Sequence, residues 1–198
     1  MDKTLSFYNQ NASGFVQDTL NVEFAALQEK FISLLPSGAC ILDFGCGSGR
    51  DTKYFLDKGF YVDASDGSEE LCKIAEIYTG IPVKHALFSE LNENEKYYGI
   101  WACSSVLHLP KDELKDVFGK MIKAVKPGGV IYTSFKYGDY EGMRSGRYFI
   151  DFTEERFAEF LKDLLQLMIT EEWISRDARP GRSDERWLNL ILKKSDTV

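Results

Sequence analysis

The chain has 198 residues, 44% hydrophobic and 28% charged, ordinary values for one globular domain long enough to bury a substantial core. A formal net charge of −7 argues against a non-specific grip on nucleic acid, whose affinity comes mainly from phosphate contacts. No apolar run approaches the ~18 residues that cross a bilayer. The opening Met1-Asp2-Lys3-Thr4 has no basic stretch leading into an apolar core, so no secretory signal is expected and the chain reads as cytoplasmic. Cys40, Cys46, Cys72 and Cys103 contain no C-x-x-C pair, and the chain has 2 histidines. Neither a disulfide framework nor a metal site is expected from them.

Over 18–35, Leu20, Phe24, Leu27, Phe31 and Leu34 recur at three- and four-residue steps, which predicts one helix ended by Pro36-Ser37-Gly38. A first strand is expected over 40–44, a helix over 51–58 closed by Gly59, and a second strand over 60–65. Ser68 is placed as the N-cap of the next helix, with Glu69 and Glu70 in its first turn, where the helix dipole favours acids. Strand three is expected over 82–87, and the nearly all-apolar 99–106 suits a central parallel strand. A helix over 112–125 is stopped by Lys126-Pro127-Gly128-Gly129 before strand five at 130–135. A helix over 154–166 and strands over 168–175 and 187–193 complete the series, the last two pairing as an antiparallel hairpin. Trp187 and Leu190 are read as core residues of that final strand. The fold class that follows is α/β. It is a doubly wound, mostly parallel seven-stranded sheet with the last strand antiparallel and helices on both faces.

The stretch Ile41-Leu42-Asp43-Phe44-Gly45-Cys46-Gly47-Ser48-Gly49-Arg50 carries most of the functional information. A strand running into glycines at every second position and then a helix builds a nucleotide-sized crevice at the end of strand one. A dinucleotide-binding turn reads G-x-G-x-x-G, and here Arg50 stands where its third glycine would fall. Asp66 comes 23 residues after Asp43, at the predicted end of strand two. Its carboxylate is suited to accept hydrogen bonds from both ribose hydroxyls of an adenosine. Asp63 competes for that role, and a solvated turn acid is the plain structural alternative.

Residues 41–50, Asp66-Gly67-Ser68, Trp101-Ala102-Cys103-Ser104-Ser105-Val106-Leu107-His108 and Lys126-Pro127-Gly128-Gly129 fall in an order and spacing that resembles the class I S-adenosylmethionine-dependent methyltransferases. The N-terminal Tyr8-Asn9-x-x-Ala12 is similar to the opening of small-molecule members, where such a segment folds over the cofactor. The resemblance implies a single domain over 1–198, with an N-terminal helical lid over 1–36 and substrate-side loops over 136–152 and 176–186. It implies S-adenosyl-L-methionine as cofactor, with Gly45, Cys46, Gly47 and Gly49 along the methionine moiety, Asp43 anchoring the turn, and Asp66, Gly67 and Ser68 at the ribose. Leu87 and Phe88 would face adenine, because the acid common after strand three is missing, unless Glu90 substitutes. Cys103 would border the transferred methyl group. Such a transfer is one in-line displacement, so no protein nucleophile is required.

His108, with an unperturbed pKa of about 6.5, is the candidate general base, against the plainer reading of a histidine satisfied by backbone groups. Lys136, Arg144, Arg147, Arg179 and Arg182, with Tyr8, are candidate substrate contacts. Arginines gathered in the substrate loops of an acidic chain suggest an anionic acceptor. The competing reading is surface arginines paired with Asp177, Asp184 and Glu185. The expected partner is a small-molecule acceptor, with no membrane and no nucleic acid. Other readings are a macromolecular acceptor (tRNA or protein), a non-catalytic S-adenosylmethionine-binding regulator, and an NAD-dependent oxidoreductase.

Overall fold

The computed structural model describes residues 2–196. Strands β1 (Cys40–Phe44), β2 (Tyr61–Asp66), β3 (Val83–His85), β4 (Tyr97–Ala102), β5 (Val125–Lys136), β8 (Leu167–Arg176) and β9 (Arg186–Lys194) form one sheet in the order β3-β2-β1-β4-β5-β9-β8. The pairings from β3 to β5 are parallel. β9 is the reversed last strand that the sequence predicts and pairs with β8 as the expected hairpin, and it lies between β5 and β8, antiparallel to both. A two-stranded hairpin, β6 (Glu141–Arg144) and β7 (Arg147–Ile150), rises from the segment expected to be a loop.

Successive strand residues face opposite sides, so each central strand feeds two cores. Leu42, Ile100, Ala102, Ile131, Leu190 and Leu192 pack with α5 (Lys111–Ala124) and α6 (Glu154–Leu161). Their neighbours Ile41, Trp101, Tyr132 and Ile191 pack with α2 (Ala25–Ile32) and α3 (Arg50–Asp57). A smaller cluster joins Ala64 and Val83 to Cys72 and Ala75 of α4 (Glu69–Thr79). Ser68 caps α4 by accepting from the Leu71 amide at 3.3 Å, as predicted.

Several boundaries differ from the sequence expectation. The single helix over 18–35 is in fact the end of α1 (Asp2–Thr19), a turn, and α2. The Thr19 hydroxyl donates back to the Phe15 carbonyl at 2.7 Å, and Glu23 accepts from the Ala25 amide at 3.0 Å to start α2. The apolar spacing bridged this break because Phe24 still packs on the Phe31 cluster. β4 ends at Ala102, not 106, because Ser104 turns at φ 52° and gives its amide to Ser134 Oγ at 2.9 Å. The Lys126–Gly129 turn sits within β5 as a bulge: Tyr97 pairs with Val125, then Gly99 with Val130. α6 stops at Leu161, five residues before the expected 166. Trp187 lines the cavity described below, whereas Leu190 is fully buried. Among the described residues no helix is long and apolar enough to cross a membrane.

Candidate active site

The sheet order reverses between β1 and β4, the place where an open α/β sheet leaves a crevice beyond its carboxyl ends. A cavity of about 1010 Å³ opens there. Its walls come from the turn after β1, the ends of β2 and β4, the inner face of α1, the β6–β7 hairpin and the 176–186 loop.

The glycine turn is shaped by left-handed backbone, with φ 86° at Gly45, 56° at Gly47 and 79° at Gly49. A Cβ on Gly45 would stand 2.5 Å from the Ser105 Cβ, and one on Gly47 would stand 3.0 Å from the Phe15 ring. Side chains here would fill the cradle as well as strain the turn. The amides of Gly45 and Cys46 both donate to the Ser65 carbonyl, at 2.9 and 3.0 Å. Asp66 ties the two turns together: its Oδ2 accepts from the Gly47 amide at 2.9 Å and its Oδ1 from the Ser68 amide at 2.8 Å. Each oxygen keeps a further lone pair for a ligand hydroxyl. Burial pushes this carboxyl upward, while those amides oppose the shift.

Gly45, Cys46, Gly47, Asp66, Gly67, Leu87, Phe88 and Cys103 line the cavity. Asp43, Gly49 and Ser68 stand behind its wall. Asp43 accepts from Thr52 Oγ1 at 2.5 Å, linking β1 to α3, and burial beside the Asp51 charge raises its pKa. A Cβ on Gly49 would meet Thr79 at 2.8 Å, so that glycine lets α3 pack on α4. Asp63 pairs with Lys96 and accepts from Tyr97 Oη at 2.8 Å, so that of the two β2 acids it is Asp66 that lines the cavity. Glu90 turns back to accept from the Leu87 amide at 2.7 Å, leaving Leu87 and Phe88 as the surfaces that face a ring.

The residues fit S-adenosylmethionine better than a dinucleotide. The first turn of α3 already carries Asp51, locked to the Arg50 guanidinium at 2.8 and 2.9 Å, so a pyrophosphate would meet a carboxylate there. The close glycine backbone and the anchored Asp66 suit a ligand with a ribose and no phosphate.

On the opposite side, Tyr8 Oη lies 2.7 Å from His108 Nε2 and 3.3 Å from Arg147 Nη1. His108 Nδ1 lies 2.7 Å from the Tyr148 carbonyl. Burial, with the Arg147 and Arg144 charges nearby, pushes His108 down to about 4. Most of the lining cations are already paired: Arg144 with Asp151, Arg179 with Asp177, Arg182 with Glu185, and Lys136 with both Asp177 and Glu185. Arg147 forms no ion pair among the described residues, and its buried Nε has no hydrogen-bond partner. Its guanidinium stands 4.5 Å from the Phe7 ring centre and 5.2 Å from that of Phe149.

Sequence reasoning missed Thr4, Phe15, Thr19, Arg50, Trp173 and Asn189 in the lining. Thr4, Tyr8, Phe15 and Thr19 share one helical face, a spacing legible in the sequence. The stripe mixes polar and apolar residues, however, and a search for apolar periodicity passes over it.

Residues 41–129 match the family model described as a methyltransferase domain. The 2-methyl-6-phytyl-1,4-hydroquinone methyltransferase of Synechocystis is 28% identical over 127 residues, 61% of this chain and 39% of that protein. The ubiquinone biosynthesis O-methyltransferase of Xylella fastidiosa is 31% identical over 105 residues, 50% of this chain and 42% of that protein. In both cases the match spans less than half of the relative's length. Among solved structures, the Burkholderia thailandensis 1,6-didemethyltoxoflavin-N1-methyltransferase, bound to 1,6-didemethyltoxoflavin and S-adenosylhomocysteine, superposes with a TM-score of 0.75. That pair is 23% identical, over 97% of this chain and 85% of the other.

Proposed function

We propose that the chain is a class I S-adenosylmethionine-dependent methyltransferase, a reading supported by the match of residues 41–129 to a methyltransferase domain, and that it transfers the methyl group of its cofactor to a small anionic acceptor. S-adenosyl-L-methionine, when bound, supplies a methyl carbon made electrophilic by the adjoining sulfonium. Gly45, Cys46 and Gly47 hold the methionine part along their backbone, Asp66 and Gly67 hold the ribose, and Leu87 and Phe88 cover the adenine. α1 forms the lid through Thr4, Leu5, Tyr8, Phe15 and Thr19, which line the cavity.

One observation carries the reading. The same cavity takes in the glycine turn, Asp66 and the unpaired guanidinium of Arg147. Its volume of about 1010 Å³ lies at the top of the ~300–1,000 Å³ typical of a single small-molecule site, which supports a cofactor and a small acceptor side by side. Arg147 and Arg176 both line the cavity without an ion pair among the described residues, but Arg176 is exposed to water whereas Arg147 is partly buried with an unpartnered Nε, so Arg147 supplies the anion contact. Arg144, Lys136, Arg179 and Arg182 surround it as a rim of paired cations. Cys103 takes no covalent part: burial and the Asp51 charge push its thiol up to about 12, so it stays protonated at neutral pH. The reaction then rests on alignment of the acceptor with the methyl carbon.

The test is isothermal titration with S-adenosylmethionine, S-adenosylhomocysteine and NAD, followed by assay of S-adenosylhomocysteine release against pools of small carboxylates and phosphates. Micromolar binding of the two sulfur compounds, none of NAD, and turnover with an anionic pool are expected. Failure of either sulfur compound to bind would overturn the assignment.

A further inference from the structure

We propose that Tyr8 and Arg147 read the acceptor as a pair, Tyr8 accepting a hydrogen bond from its O–H or N–H group while Arg147 binds a carboxylate on the neighbouring atom. This rests on the methyltransferase reading for where the reaction takes place, but the hydrogen-bond argument stands on the residues alone.

The direction of each bond follows from the one before it. The Tyr148 carbonyl can only accept, and it lies 2.7 Å from His108 Nδ1, so Nδ1 carries a hydrogen. His108 is buried in a wall that also holds Arg144 and Arg147, which keeps the ring neutral. A neutral imidazole has one N–H, so Nε2 is bare. Tyr8 Oη, 2.7 Å from that nitrogen, must therefore donate its hydrogen to it. Tyr8 is thus left with lone pairs alone to offer. Arg147 Nη1 takes one at 3.3 Å, and the other is free in a residue that lines the cavity. A ligand atom placed against it has to bring a hydrogen.

Arg147 adds the second requirement. Its guanidinium is flanked by the rings of Phe7, Tyr8 and Phe149 at 4.5, 5.7 and 5.2 Å, a setting that holds the plane without cancelling the charge. Since Tyr8 Oη and Arg147 Nη1 are only 3.3 Å apart, the ligand's donor and its anionic oxygens must be near neighbours on one small skeleton. The class that meets both demands is the 2-hydroxy or 2-amino carboxylic acids and their ortho-substituted aromatic counterparts. His108 then works through Tyr8 as a positioning residue.

Two measurements test this. Long-range proton–nitrogen NMR of the imidazoles is simple here because the chain has 2 histidines, and His85→Gln assigns the signals. At neutral pH His108 is expected as the Nδ1–H tautomer with a bare Nε2, and Tyr8→Phe is expected to move the Nε2 signal. An Nε2–H tautomer or an imidazolium would overturn the proposal, whatever the cofactor does. In the second, protein saturated with S-adenosylhomocysteine is titrated with lactate, serine, 2-hydroxybenzoate and 2-aminobenzoate, and with benzoate and 2-methoxybenzoate as controls lacking the donor. At least one donor compound should bind roughly tenfold or more tightly than the controls, because a site built around a ligand hydroxyl rejects its absence. Tyr8→Phe should erase that preference, and Arg147→Gln should lose binding of every carboxylate. His108→Gln, whose amide can give to Tyr148 and accept from Tyr8, should retain the preference that His108→Leu loses. Equal binding of the controls, or no donor compound binding while S-adenosylhomocysteine does, would sink this inference alone. Failure of S-adenosylhomocysteine itself would count against the methyltransferase reading and leave the NMR result to judge the Tyr8 argument.

Discussion

Asp66, the proposed ribose contact, is first of all a structural side chain. Its two oxygens receive backbone amides from two different turns, so its removal both loosens the cradle and leaves those N–H groups unmet. Asp66→Ala should weaken S-adenosylhomocysteine binding by about 1–3 kcal/mol, the scale of a lost buried polar interaction, as read by calorimetry. Affinity equal to wild type would refute the ribose assignment. His108 yields a second prediction, through linkage. Its folded pKa of about 4 lies below the ordinary histidine value of about 6.5, so the unfolded chain binds the extra proton first. Stability from this group is present above the unfolded value and is lost as pH falls from about 6.5 to 4, by at most ~3 kcal/mol. Asp43 and Asp66, raised by burial, slope the other way, so the comparison has to be with His108→Gln. Urea denaturation at pH 7 and pH 4.5 should show a larger loss in wild type than in that variant.

At the scale of elements, Asp51 joins α2, α3 and β4. It accepts from Gln28 Nε2 at 2.6 Å, from Arg50 Nε and Nη2 at 2.8 and 2.9 Å, and from Trp101 Nε1 at 2.8 Å. Trp101 in turn stacks on Tyr132 at 4.2 Å, and the Tyr132 hydroxyl donates to Asn189 at 2.8 Å, carrying the polar thread to β9. Asp51→Ala leaves a partly buried guanidinium and a buried indole N–H without their acceptor, and should cost about 2–4 kcal/mol in urea denaturation. A cost below ~1 kcal/mol would mean that water takes over the donors. α1 is held differently. Asn11 leaves helical geometry at φ −114°, with its amide donating to the Phe7 carbonyl at 2.8 Å, so the helix bends between Tyr8 and Phe15. The two rings still meet edge to face at 5.3 Å above the glycine turn. If α1 is the lid, S-adenosylhomocysteine should slow amide exchange across residues 2–19 by several-fold, and exchange left unchanged there would deny it that role.

For the whole molecule, two cores on opposite faces of one sheet hold a rigid floor, and the segments that differ most from regular α/β alternation cover the site. α1, the β6–β7 hairpin and the 176–186 loop all reach the same cavity, though they lie far apart in the chain. The sheet and the glycine turn were legible from sequence because their signals are local. Short apolar runs mark the central strands, which are buried on both faces, glycines at every second position mark the turn, and Asp43 and Asp66 fall near strand ends. The reversed last strand followed from the alternation of elements, whereas the order of the strands in the sheet is set by tertiary packing. What sequence could not decide is which charges remain free. Arg144, Arg147, Arg179 and Arg182 look alike along the chain, and only tertiary packing brings Asp151, Asp177 and Glu185 to three of them and leaves Arg147 against aromatic rings. The role of His108 was hidden for the same reason. Its proton is placed by a carbonyl 40 residues away and a tyrosine 100 residues away, and hydrogen-bond direction is a property of contacts that only the folded chain brings together.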